Sequence, residues 1–321
     1  MKRHDVGSIR KLASTSLHLN IMLLCASSLT LMLVGTCYWA LGRVVQEERD
    51  KVHFHFSRLV GAIHEHEAFL SRIARQSDES TQRQDLGVIP LQRRKLIREN
   101  EMEIHEGREF SFAMPFTLAQ QVRHIGPRDR AGTFSFGVFL ANFYSSYWST
   151  STFPPPQVLV LDLHGRTSLA VPAVDNFPSQ SPLTLNSYLP VVERVRAVLE
   201  VAQPQRGDTQ VHWGQARDYS GDGKLELLAF VSVELPDKLW WSSDLARQVV
   251  AVSLLRLERI NDLEQILDRP VFDELKLISP HGQVLIDSVD SLESYDDGLN
   301  IGLEGMVIKL RSSVDGGWTA Q

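Results

Sequence analysis

Cysteine is nearly missing from this chain: 321 residues hold two, Cys25 and Cys37. Both lie in one apolar run, and on a helix their spacing separates them by roughly 18 Å. Disulfide partners need Cα atoms within about 7 Å, so these two cannot bridge within one chain. The rest is expected to fold without disulfides, as periplasmic domains of this size can. An excess of positive charge is lacking too. Lys and Arg number 33 against 39 Asp and Glu, a net charge of -6, so no nucleic-acid partner is expected. Catalytic signatures are also missing. There is no GxSxG, no HExxH, no phosphate-binding glycine loop and no Cys/His nucleophile pair. Nothing assembles an acid, a base and a nucleophile, so the residues read as non-enzymatic, with no cofactor.

Charge is absent altogether from Leu19 to Leu41, LNIMLLCASSLTLMLVGTCYWAL. At about 1.5 Å per residue such a run crosses a ~30 Å hydrocarbon core as a helix. Tyr38 and Trp39 stand near its far end, where aromatic rings favour the interface. The run exceeds the ~7–15 residues of a cleaved signal's apolar core, and no small-residue cleavage site follows, so an uncleaved anchor is expected. Lys2, Arg3, Arg10 and Lys11 precede it, and Arg43, Arg49 and Lys51 follow. That balance, with the polar bulk of the chain behind the span, sets the N-terminus in the cytoplasm. A single-pass inner-membrane protein with its bulk in the periplasm is the expectation.

Beyond the span, residues 44–75 carry apolar side chains at Val45, Val52, Phe56, Leu59, Val60, Ile63, Phe69, Leu70 and Ile73. Those steps of mostly three, four or seven predict a long amphipathic helix. Residues 76–107 read as polar and irregular around one apolar patch at Ile97. Residues 110–118 read as extended. Two apolar runs around His164-Gly165 predict a hairpin over 157–172. Residues 188–201 read as a helix, and 209–235 as strand, turn, strand, with Leu225 to Leu235 in a period of two. Leu239–Leu267 reads as a connecting helix, with Val249, Val252, Leu255, Ile260, Leu263 and Ile266 on its apolar side. Residues 274–288 predict a hairpin around His281-Gly282, and 305–313 and 316–321 two further strands. Short glycine turns favour antiparallel sheets, hence an α+β class. The expected segments are a tail 1–18, a span 19–41, a membrane-proximal helix 42–78, a larger unit 79–236 and a connector with a smaller unit 237–321.

The stretch DYSGDGKLE (218–226) resembles a metal site. Counted from Asp218 as a twelve-residue calcium loop, Ser220, Asp222 and Glu226 fall at positions 3, 5 and 9, and Gly223 at 6. Position 12 is Ala229, so the closing carboxylate is missing, and the flanks read as strands. A strand-flanked calcium loop stays open, but the expected role is a hairpin turn whose glycines supply positive φ. His53, His55, His64 and His66 form a second cluster. On a helix, residues i and i+2 point about 200° apart, so neither close pair chelates one metal. Surface histidines are expected, with a pH response as the alternative. Phe136, Phe139, Phe143, Tyr144, Tyr147 and Trp148 either pack a core or line a ligand pocket, and Trp213 and Arg217 are secondary pocket candidates.

Taken together, the anchor, the helix 44–75, the paired hairpins 157–172 and 209–235, the connector 239–267 and SPHGQVLIDS carry a resemblance. The arrangement resembles the extracytoplasmic sensor region of a bacterial transmembrane receptor of the double-PAS or Cache type. Trp318 in GGWTAQ is similar to the last strand before such a region's exit helix. The amino-acid-binding signature of some Cache receptors, an Arg shortly before a Trp-Tyr pair, is not matched at Tyr147-Trp148. The resemblance implies two antiparallel PAS-like units in tandem, a homodimer, and a small-molecule or periplasmic-protein ligand. It also implies an output past a second span, most often a histidine kinase, so the chain reads as a sensor truncated before that span. The alternative is a membrane-anchored surface or scaffold protein without signalling output.

Overall fold

Strands built almost wholly of Val, Leu and Ala have no polar side to offer water, and sheets made of them need cover on both faces. In the computed structural model such strands form the centre of one large antiparallel sheet. The structure describes residues 5–83, 92–99, 102–121, 127–163, 167–175, 183–234, 248–259, 276–279, 284–287, 312–313 and 319–320. The first helix, α1, runs Asp5–Arg83. Strands β1 (Gln92–Glu99), β2 (Met102–Arg108) and β3 (Phe116–Gln121) lead to helix α2 (Pro127–Trp148). Then follow β4 (Gln157–Asp162), β5 (Ser168–Val171), helix α3 (Leu185–Ala202), β6 (His212–Arg217), β7 (Glu226–Val233) and β8 (Val249–Arg256). These eight strands pair in the order β1-β2-β3-β5-β4-β8-β7-β6, every pair antiparallel. A second sheet joins β9 (Lys276–Ile278), β10 (Val284–Asp287), β11 (Ser312–Ser313) and β12 (Thr319–Ala320) in the order β10-β9-β12-β11. The class is α+β, with one long N-terminal helix and a large antiparallel sheet.

The chain divides into two units, Met1–Phe54 and His55–Gln321. In the first, the side chains from Leu17 to Leu41 are exposed, Met22 at 77% and Trp39 at 66% among them. Apolar side chains bare to this extent have the length and composition of a membrane span or a signal sequence. Their few hydroxyls are answered inside the helix: Thr30 Oγ1 donates to Ala26 O at 3.0 Å and Thr36 Oγ1 to Leu33 O at 2.9 Å.

In the second unit, alternation of side chains sorts the sheet into two cores. Val158, Val160, Leu169, Val171, Leu227, Ala229, Val231, Val249 and Ala251 pack with α1 and α2. Their neighbours Leu159, Leu161, Ala170, Leu228, Phe230, Val250, Val252 and Leu254 pack with α3. The period of two in β7 therefore separates two clad faces, and all eight of its residues are buried. α3 begins at a reciprocal cap: Ser187 N donates to Thr184 Oγ1 at 3.2 Å, and Thr184 N to Ser187 Oγ at 2.9 Å.

The hairpins expected over 157–172 and 209–235 form as β4–β5 and β6–β7, and the helix expected at 188–201 is α3. β9 and β10 make the hairpin expected over 274–288, though the turns at 164–166 and 280–283 lie outside the described residues. Two expectations are corrected. Residues 249–256, read as part of a connecting helix, are the strand β8, hydrogen-bonded to β4 on one side and β7 on the other. The run VVAVSLLR is apolar at odd and even positions alike, so its spacing matches a helix and a doubly buried strand equally well. The rest of 239–267 is described only at residues 248 and 257–259, the latter a short 3-10 turn. Because β8 is central, the large sheet runs past the expected boundary at 236. The stretch 76–107, read as irregular, instead ends α1 and supplies β1 and β2, whose pairing runs from Gln92↔Arg108 to Glu99↔Met102.

Close approach of α2 to the sheet depends on glycine. A Cβ on Gly137 would sit on the ring of Phe116, and one on Gly107 would meet the same ring at 2.5 Å and Phe134 at 2.8 Å. With the fully buried ring hemmed on both sides, it cannot yield. Gly137→Ala gains about 1 kcal/mol of helix propensity, but overpacking costs about 1–3 kcal/mol. The expected net result is a thermal midpoint below that of the unmodified chain.

Candidate functional site

The inward stripe of α1 is Phe56, Leu59, Val60, Ile63, His66, Phe69, Leu70 and Ile73, all buried. One member is polar: His66 is 0% exposed. It lies three residues after Ile63 and four before Leu70, so helical spacing alone turns it inward while His64 and His53 stay exposed. The expectation of surface histidines is corrected for His66.

Beneath its ring the sheet is made of small residues. Trp213 on β6 pairs with Ala229 on β7, Ala229 with Ser253 on β8, and Ser253 with Val158 on β4. Short side chains at 229 and 253 let the imidazole reach the strands, where Ser253 Oγ and His66 Nδ1 share a hydrogen bond of 2.8 Å. Two indoles enclose it. Trp148 meets the ring edge-on with centroids 5.4 Å apart, and Trp213 lies tilted at 6.5 Å. Burial pushes the imidazole from its ordinary 6.5 down to about 3, because a proton there has no water to solvate it. Two buried nitrogens at this place, His66 Nε2 and Trp148 Nε1, have no hydrogen-bond partner among the described residues.

The neighbouring residues of α1 are tied as well. Trp213 Nε1 donates to Glu67 Oε1 at 2.9 Å, and Tyr147 Oη to Glu65 O at 3.3 Å. The Arg72 guanidinium lies 5.3 Å from the centre of the Tyr147 ring. Burial, then Glu65, pushes the Tyr147 phenol up to about 12. Phe69 touches Phe143, Tyr144, Tyr147 and Trp148 with centroid separations of 5.1 to 6.1 Å.

All six aromatic candidates therefore sit on α2 in one core. Phe136, Tyr144 and Trp148 are buried, and Phe139, Phe143 and Tyr147 are half-buried against them. Trp213 joins Trp148 through His66. Arg217 does not: it is exposed at the end of β6, its Nη2 donating to Gln215 Oε1 at 3.5 Å. The aromatic spacing is a local pattern of α2, whereas the partnership of Ser253 and the inward turn of His66 are not among the expectations above.

The loop 218–226 is a separate construction. Asp218 accepts the N–H groups of Gly221 at 2.5 Å, Asp222 at 3.1 Å and Gly223 at 2.9 Å. Gly221 and Gly223 take φ of +77° and +79°, the left-handed region that glycine enters without penalty. Glu226, 0% exposed, accepts from Ser220 N at 3.0 Å, Ser220 Oγ at 2.8 Å and Arg256 Nε at 2.9 Å. Arg256 Nη2 also donates to Asp222 Oδ2 at 2.6 Å, and Arg194 Nε of α3 to Tyr219 O at 2.7 Å. Burial pushes the Glu226 carboxyl above its ordinary value, while Arg256 and Ser220 hold it back. Of the four oxygen-bearing side chains expected for calcium, Asp218, Asp222 and Glu226 thus meet protein donors, and Ser220 Oγ itself donates to Glu226. Among the described residues, no three His, Cys, Asp or Glu side chains gather as a metal-donor set.

No protein-family model matches the chain, and no curated protein or solved structure is significantly similar to it.

Proposed function

We propose that this chain is the ligand-sensing, extracytoplasmic portion of a membrane-anchored signalling receptor, the sensor half of a two-component histidine kinase. One observation carries the reading. A single helix, α1, contains both the charge-free exposed stretch 19–41 and the stripe 56–74 buried against a sheet domain. Any change in how the domain holds that stripe acts on the chain that leads to the span. Support also comes from the hairpins β4–β5 and β6–β7, on which the PAS/Cache resemblance rests, joined in one antiparallel sheet with α3 between them. The aromatic side chains between α1 and α2 are of the mostly apolar kind, with a few polar groups among them, that a small ligand's pocket uses. Signalling then requires that ligand bind two states of the domain with different affinity.

Two measurements test this on the full chain. Expressed in bacteria, it should resist alkaline extraction from the inner membrane, and protease added to spheroplasts should digest residues beyond the span. A metabolite screen by thermal shift in detergent should find a ligand that raises the midpoint. Release of the chain by alkali, or protection of its bulk from protease, removes the receptor reading. Correct topology with no shift from any metabolite or periplasmic extract favours the scaffold.

A further inference from the structure

The apolar stripe of α1 repeats at Leu59, Ile63, Leu70 and Ile73, and contacts of this kind are non-directional. Apolar burial holds α1 on the sheet but says little about where along it the helix sits. A single polar group in such a stripe fixes register at a cost in stability. His66 is that group, and Ser253 on the central strand β8 is its partner. Three polar ties leave α1 from three consecutive residues: Glu65 O to Tyr147, His66 to Ser253, and Glu67 to Trp213. These ties to α2, β8 and β6 leave α1 within one turn of helix.

That turn is only half satisfied. Among the described residues, His66 Nε2 and Trp148 Nε1 are both buried without partners, and an unmet buried polar group lowers stability. A partly satisfied polar network is worse for stability than an apolar one of the same shape. His66 is the one fully buried polar side chain described on α1, and burying it half-paired points to a use other than holding the domain together.

We propose that the His66–Ser253 contact is a releasable latch. It fixes α1 at one seating on the sheet and lets the turn around residues 62–70 open locally, as a unit, without unfolding the strands beneath. The latch deepens the sensor reading by naming the place where α1 and the sheet part, but it is measurable with no ligand and no kinase, so either can fail without the other.

The test is hydrogen exchange by mass spectrometry and thermal unfolding of the full chain in detergent at pH 7. Removing both polar partners in His66→Leu/Ser253→Ala should raise the midpoint by about 3 °C or more and slow exchange in 62–70 by about tenfold. An unchanged or lower midpoint would show a net structural brace and overturn the latch. Should the double variant not fold, Ser253→Ala alone decides. Exchange should then quicken by about tenfold in 62–70 while β4, β7 and β8 keep their protection. Acceleration across all these elements, or none in 62–70, overturns the proposal.

Discussion

Lowering the pH from 7 to 5 should reduce the thermal midpoint of the unmodified chain by roughly 4–8 °C more than that of His66→Leu. The cause is the position of His66. Its imidazole titrates at an ordinary 6.5 when unfolded and at about 3 in the folded chain. The unfolded state therefore takes up a proton below 6.5 that the folded state refuses until about 3. Stability from this group is complete above 6.5, falls through the window, and is level again below it. The slope is about 1.4 kcal/mol per pH unit, so about 2 kcal/mol is lost by pH 5 and about 4 kcal/mol by pH 3. For a domain of this size each kcal/mol moves the midpoint by about 2–4 °C.

Other groups act in other windows or cancel in the comparison. Glu103, held down to about 2 by Lys95 and His105, loses its contribution only between its ordinary 4.5 and that value. Glu226 is raised by burial, so it works in the opposite sense as the pH falls. Both are common to the unmodified chain and the variant, which is why the difference between the two isolates His66. Equal acid sensitivity of the two chains would mean that the imidazole charges without disturbing its surroundings, and the site as described would be wrong.

How much of this was legible beforehand follows from what sequence patterns encode. The hairpins were visible because alternation and glycine turns are local properties of 157–172 and 209–235. The apolar stripe of α1 was visible for the same reason. β8 was not, because a strand covered on both faces has no period of its own. Nor were β1 and β2, whose sequences QRRKLIRE and MEIHEGR are charged strands at and beside an edge of the sheet. Charged residues on edge strands guard against unwanted pairing and make them look like loops. The inward turn of His66 follows from its phase with Ile63 and Leu70, whereas chelation geometry carries no information on which way a lone histidine faces. Ser253 had no local signal at all. Its role comes from β8 lying beside β7, a pairing between residues far apart in the chain. For the loop 218–226 the glycines and Asp218 announced a turn, while the partner of Glu226 lay thirty residues away on β8.

That distant partner sets the largest single-residue effect on stability. Arg256→Ala should destabilise the domain by about 3–5 kcal/mol, the cost of breaking a buried ion pair by removing one member. Glu226 is 0% exposed and the Arg256 side chain 10%, so water cannot replace the guanidinium once it is gone. Ser220 supplies two neutral donors to the carboxylate, too few to hold a full charge in place. The strand pair Glu226↔Arg256 would lose its side-chain clasp where β7 leaves the loop, and Asp222 would lose its donor at 2.6 Å. If desolvated charge is the cause, replacing both partners together should recover most of the loss, since well-packed apolar residues in place of such a pair are often neutral or better. Arg256→Met/Glu226→Met is therefore expected to melt within a few degrees of the unmodified chain, and Arg256→Ala far below it. A cost under about 1 kcal/mol for Arg256→Ala is what an exposed salt bridge gives. In that case the loop would be held by Asp218 and the two glycines alone, and Glu226 would be protonated where it lies.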